Sequence, residues 1–194
     1  MRATGVKARV ERAAVDLFAA RGVDGVSIAD IAGAAGVSQG ALYRHYPSKD
    51  ELAAALFKLA YRRTGEELAA IGAAQRDFTA RIGAMIEHFC VLYDRDPALF
   101  RFMLIAQHEL LPGIDDAGTT PVAAIEKAIA DAAATGEIAA IDVALATAAI
   151  MGIVLQTAVF HLYGRITGPL APRAPSLTRA AIAAVAGLVS GIAS

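Results

Sequence analysis

The 194-residue chain has one cysteine, Cys90, and no tryptophan. A single cysteine makes no intramolecular disulfide, which excludes a disulfide-stapled secreted scaffold and fits a reducing compartment. Cys90 is expected as a small buried residue of a helix. No apolar stretch follows the N-terminal residues, where Lys7, Arg9, Glu11 and Arg12 soon appear, so no secretory signal is expected and the cytoplasm is the expected location. Aromatics are scarce at 6%, and no stretch alternates apolar and polar residues as a half-buried strand does. Also absent are H-E-x-x-H, a Walker loop and Cys/His metal spacing, so neither an enzyme nor a metal or other cofactor is expected. The acidic pairs Asp94/Asp96 and Asp115/Asp116 fit a helix junction and a solvated loop.

Apolar residues are abundant at 56%, and much of the excess is alanine. Alanine is the best helix former and a poor strand former, so an all-α chain of about nine helices is expected. From Val143 to Gly164 no Asp, Glu, Lys or Arg occurs, a length that spans a bilayer. Thr147, Gln156, Thr157 and His161 interrupt it, and its flanks lack a basic cluster and an aromatic belt. A helix buried inside a soluble oligomer is the preferred reading.

The net charge of −1 argues by itself against a nucleic-acid partner, but it conceals a division. Residues 1–63 hold ten Lys/Arg against six Asp/Glu, and residues 64–194 hold eight against thirteen. A basic front and an acidic back point to two parts with different partners.

Helices are expected from about Val6 to Ala20, from Ser27 to Ala35 and from Ser38 to Tyr46, where Pro47 stops the chain. Ser27 with Asp30 and Ser48 with Glu51 have capping-box spacing. A fourth helix runs from Lys49 to about Ala70, with a break near Gly72. Asp96-Pro97 and Thr120-Pro121 each place a cap before a first-turn proline and open the sixth and seventh helices. Residues 112–119 read as loop, residues 168–175 as connector, and a last helix runs from Ser176 to about Gly191.

The segment from Ser27 to Lys49, SIADIAGAAGVSQGALYRHYPSK, carries the strongest signal. Two short helices meet at Gly36-Val37, and Ala32 and Ala35 let them cross closely. Ile28, Ile31, Val37 and Leu42 give the pair a core shared with the first helix. This is helix-turn-helix patterning, whose second helix enters a major groove. Gln39, Gly40, Ala41, Tyr43, Arg44 and His45 face outward, and none is acidic. Gly36-Val37-Ser38-Gln39-Gly40 also satisfies the hydrolase elbow G-x-S-x-G. That motif needs a preceding strand, and the preceding residues are helical.

The run Ser27…Ile31-Ala32…Ala35-Gly36-Val37-Ser38…Gly40…Leu42-Tyr43…His45-Tyr46…Ser48-Lys49…Leu52 closely resembles the DNA-binding domain of the tetracycline-repressor (TetR) family. The first helix, with Ala14…Leu17-Phe18…Gly22, is similar as well. The resemblance covers roughly the first quarter of the chain. It implies residues 1–48 as a DNA-binding domain and 49–194 as an effector-binding and dimerisation domain. It implies DNA contacts from Ser38, Gln39, Gly40, Ala41, Tyr43 and His45, and phosphate contacts from Ser27 and Lys49. Gln39 is the candidate for base readout, since an amide pairs bidentately with adenine. Ser27 and Ser38 also read simply as caps, Tyr46 as core, and Arg2 and Lys7 as candidates for flanking contacts.

In the acidic remainder, soft and polar residues within apolar helices form a candidate effector pocket. These are His88, Phe89 and Tyr93 on the fifth helix and Phe100, Met103 and Gln107 on the sixth. The eighth adds Met151, Leu155, Gln156 and Tyr163. A small hydrophobic effector fits such a pocket. Plain packing is the competing account of each residue. One helix-turn-helix module reads few bases, so a homodimer on a palindromic operator is expected. Its candidate interface is Ile150, Val154 and His161 on the eighth helix with Ala181, Val185, Leu188 and Ile192 on the ninth. The function expected is a repressor released by its effector. An activator or architectural dimer without a ligand is the alternative.

Overall fold

The computed structural model describes residues 3–111 and 120–190. They form nine α-helices, and no strand occurs among the described residues. The helices are α1 (Ala3–Arg21), α2 (Ile28–Ala35), α3 (Gln39–Tyr43), α4 (Lys49–Ala73) and α5 (Phe78–Arg95). After them come α6 (Pro97–Leu110), α7 (Pro121–Ala134), α8 (Val143–Leu162) and α9 (Ala174–Ser190). The expected loop over 112–119, together with Arg2, Gly191 and Ile192, lies outside the described residues.

The chain divides into two compact units, Met1–Tyr61 with Asp96–Asp115, and Arg62–Arg95 with Asp116–Ser194. These do not follow the expected boundary at 48/49, for two reasons. α4 runs past it without interruption, so its first turns build the core of the first unit. α6 also returns to that unit after α5.

In the first unit α1 packs against α2 and α6. Phe18, Phe57 and Phe102 are fully buried; Phe102 stacks on Phe18 at 5.7 Å and meets Phe57 edge-on at 6.4 Å. A polar tie joins distant parts of this unit. Arg12 donates to Asp96 at 2.7 Å and also to Asp16. Those two carboxylates, Asp16 first, push the guanidinium pKa up. Asp96 at the same time caps α6 by accepting from the Leu99 amide at 3.1 Å.

In the second unit α9 packs on α5 and α8, and α7 packs on α5 and α8. Three expectations are corrected here. Gly72 does not break α4 but lies inside it, buried; a Cβ there would stand 2.5 Å from Met85 Cε, so the glycine admits the Met85 side chain. α9 starts at Ala174 rather than Ser176, because Ala171–Arg173 forms a 3-10 turn that leads into it. α3 ends at Tyr43 rather than Tyr46, although the Tyr46 amide still reaches the Leu42 carbonyl at 3.0 Å and carries the turn onward.

α8 is long and apolar enough to cross a membrane, and five of its 20 residues are buried within the chain. Cys90 is buried as expected; burial pushes its thiol pKa up to about 11, helped by Asp94 and Glu87.

Candidate nucleic-acid interface

Local chemistry fixes the α2–turn–α3 geometry. The Ser27 hydroxyl accepts from the Asp30 amide at 3.1 Å, and the Asp30 carboxylate accepts from the Ser27 amide at 2.9 Å. The capping box is complete, and the Ser27 hydroxyl and amide hold the Asp30 carboxyl below its usual range. At the other end Gly36 sits at φ 64°, a left-handed conformation that costs a side-chain-bearing residue roughly 1–2 kcal/mol. Its amide reaches Gly33 O at 3.2 Å, and the Val37 amide reaches Ala32 O at 3.0 Å. These are the paired bonds of a Schellman stop, which aims the chain into α3. Ser38 then caps α3 by accepting from the Ala41 amide at 3.2 Å.

The turn sorts the residues of α3 by face. Leu42 is fully buried and Tyr46 nearly so. The Tyr46 hydroxyl donates to Glu11 Oε1 at 2.6 Å, and burial, then this bond, pushes its pKa up. Tyr46 is therefore core, tied to α1. Outward stand Ser38, Gln39, Gly40, Tyr43, Arg44 and His45, all exposed, with Ala41 half-buried. Among the described residues no ion pair holds Arg44 or Lys49, while Arg12, Arg21 and Arg63 are each matched to a carboxylate. Lys49 opens α4 just after Ser48, whose hydroxyl accepts from the Glu51 amide at 3.1 Å. All eight expected DNA-contact residues thus lie on or beside one helix-turn-helix, with no acidic side chain on α3.

The other expected sites fare differently. Of the expected pocket residues, Phe89 and Met151 line one cavity, together with Ile82, Met85, Ile125 and Ile150. It measures about 10 Å³, too small for more than a water. His88 is half-buried, with Nε2 3.1 Å from Glu67 Oε2. Phe100, Met103 and Gln107 belong to the first unit; Phe100 is buried, Met103 packs on that unit's core, and Gln107 donates to Leu104 O. Leu155 is half-buried, while Gln156 and Tyr163 are exposed rather than interior.

The interface residues need the larger correction. Ile150, Val154, Ala181 and Val185 are at most 5% exposed within the single chain, so they are its core. His161 is also engaged. Its Nε2 lies 2.8 Å from the Gly168 carbonyl, which only accepts, and its Nδ1 lies 2.8 Å from the Tyr93 hydroxyl. The carbonyl can only accept, so Nε2 carries a proton and donates to it, while Nδ1 pairs with the Tyr93 hydroxyl. Leu188 is half-buried. What faces outward on α8 is the opposite stripe, with Leu145, Ala148, Gly152, Gln156, Phe160 and Tyr163 exposed. Asp94 has a role that its place in the sequence does not signal: it accepts from the Leu170 and Ala171 amides, both at 2.8 Å, and pins the α8–α9 connector to the end of α5.

A capped helix-turn-helix with a free cationic and amide-bearing face, carried on an all-helical chain, defines the class of helix-turn-helix DNA-binding proteins. Residues 12–56 match the model of the bacterial regulatory proteins of the tetR family. A relative, the HTH-type transcriptional regulator CymR of Pseudomonas putida, is 40% identical over 65 residues, which is 34% of this chain and 32% of that protein. Over this N-terminal segment the chain resembles the TetR family of transcriptional regulators, and it spans about a third of the length of the curated relative it matches. Its fold is also that of solved structures of low identity. The fatty acid degradation regulator FadR of Bacillus halodurans is 16% identical with a TM-score of 0.78, over 90% of this chain and 97% of that one. FadR of Bacillus subtilis, solved with stearoyl-CoA, is 20% identical with a TM-score of 0.77 over the same shares. A TetR-family regulator of Marinobacter aquaeolei is 19% identical with a TM-score of 0.78, over 95% and 97%.

Proposed function

We propose that the chain is a cytoplasmic, homodimeric repressor that binds a palindromic operator through α3 and is released by a small hydrophobic effector. The observation that carries this is the outward face of α3 and the start of α4, where Gln39, Tyr43, His45 and Lys49 stand together without an acidic neighbour on α3. Gln39 reads a base edge, Ala41 touches a thymine methyl, and Tyr43, His45, Ser27 and Lys49 hold the backbone. Gly40 has open space where its Cβ would be, which leaves room for a sugar-phosphate strand.

The second chain packs on the exposed stripe of α8, an apolar face that a monomer leaves in water, and on the small outward residues Ala180, Ala183 and Gly187 of α9. The effector enters the second unit beside Phe89 and Met151, where the present cavity is closed, so binding selects a wider conformation. The stearoyl-CoA carried by the Bacillus subtilis neighbour is an example of an effector with an apolar body. α4 continues through the boundary of the two units and transmits the change.

The test is the salt dependence of DNA binding, followed by fluorescence anisotropy with a labelled duplex. Lys49→Ala weakens binding to every sequence and flattens the slope of log K against log salt by about one. An unchanged slope removes Lys49 from the interface.

A further inference from the structure

We infer that a groove on the second unit, between the start of α5, the α7–α8 connector and α9, binds a small lipophilic cation. The groove holds about 360 Å³, within the range of small-molecule sites. Phe78, Ile138, Ile182, Val185 and Val189 give it apolar walls. Among the described residues its charged lining groups are Asp77 and Glu137, both carboxylates, with no Lys, Arg or His.

Both carboxylates are held by backbone rather than by cations. Asp77 Oδ1 accepts from the Ala80 amide at 2.8 Å, and Glu137 Oε1 accepts from the Phe78 amide. The first turn of α5 thus fixes two carboxylates at the edge of an apolar groove. Two of the first-turn amides of α5, those of Phe78 and Ala80, are already taken by these carboxylates. Each carboxylate keeps a second oxygen, Asp77 Oδ2 and Glu137 Oε2, with no partner among the described residues. A ligand that complements this arrangement has an apolar body of a few carbons for the Phe78–Val185 side and a cationic head for the two free oxygens. An anionic ligand of the same shape meets like charge. This groove is separate from the closed cavity beside Phe89 and Met151, and its ligand chemistry holds whether or not that cavity admits an effector.

Titration calorimetry on the full chain compares three probes of similar length: hexyltrimethylammonium, 1-hexanol and hexanoate. The cation saturates one site per chain and binds about ten-fold more tightly than hexanoate. Glu137→Gln and Asp77→Asn keep an acceptor for the Phe78 and Ala80 amides but remove the charge. Each lowers the affinity for the cation about three-fold and leaves that for hexanol unchanged. Ala186→Phe, on the exposed flank of α9 beside the groove, abolishes binding of the cation. Equal affinities for cation and hexanoate, no saturable binding, or carboxamide variants that bind the cation as the parent does would each overturn the assignment.

Discussion

The two units solve the same packing problem with different materials. The first gathers Phe18, Phe57 and Phe102 into one buried cluster and turns polar groups outward on α3. Its long-range polar contacts, Arg12 to Asp96 and Tyr46 to Glu11, are satisfied within the unit. The second aligns apolar surface along one helix: Leu145 and Phe160 on α8 are 53% and 47% exposed, while the buried stripe of the same helix is also apolar; the exposed Leu59 and Ile105 of the first unit lie on two different helices, α4 and α6. A surface of the first kind is ready for water and phosphate. A surface of the second kind is completed by another molecule. Under the proposed function the difference between the units is a difference between partners.

The contrast is open to attack at its strongest point. Phe102→Ala removes a fully buried ring that touches two others and lowers the unfolding free energy of the first unit by about 3–5 kcal/mol, measured by urea titration. A loss under about 1 kcal/mol would show that α6 is not part of that core. Next in size, replacing Leu145 and Phe160 together with Glu places charge on the outward stripe of α8. It raises the dimer dissociation constant by about 100-fold or more in sedimentation equilibrium, with helicity unchanged. An unaltered dimer would move the partner to another face. A charge at Val185 acts differently, since that side chain is 2% exposed: it unfolds the second unit rather than only separating the chains.

The smallest effect is a titration. The Cys90 thiol is raised in the folded chain from its ordinary 9.0 to about 11, chiefly by burial. Its neutral form is the one the fold favours, so this contribution to stability is complete below about pH 9 and disappears as pH rises through about 11. Cys90→Ala removes that part of the alkaline loss, and the native thiol stays unreactive toward thiol reagents at pH 8. Fast labelling at pH 8 would mean that α5 opens locally.

The same contrast between the units explains which features the amino-acid sequence makes legible. The helix-turn-helix is readable because each feature has a local cause: Ser27 and Asp30 cap each other, Gly36 takes a left-handed turn, and Leu42 and Tyr46 recur four apart on the inner side. Which side of α8 is core is hidden in the sequence because α8 is apolar all round. When both stripes are apolar, periodicity finds the helix but not which side is core. Ile150 and Val154 therefore look as suitable for a partner as Leu145 and Phe160. The pocket is obscured for another reason. Phe100 and Phe89 are chemically alike, but α6 returns to the first unit and α5 stays in the second, a separation set by chain topology rather than residue type. Asp94, in sequence only half of an acidic pair, binds two amides that lie far along the chain.

The account rests most directly on α3 reading DNA as one of a symmetric pair, and selection of duplexes from a randomised pool measures that. The full chain is predicted to enrich a two-fold symmetric sequence with half-site centres about 10 base pairs, or a small multiple of that, apart. Gln39→Ala is predicted to lose discrimination at one base pair in each half-site while keeping the spacing. Enrichment of no sequence, or a Gln39→Ala chain that selects the same sequence with the same stringency, would contradict it.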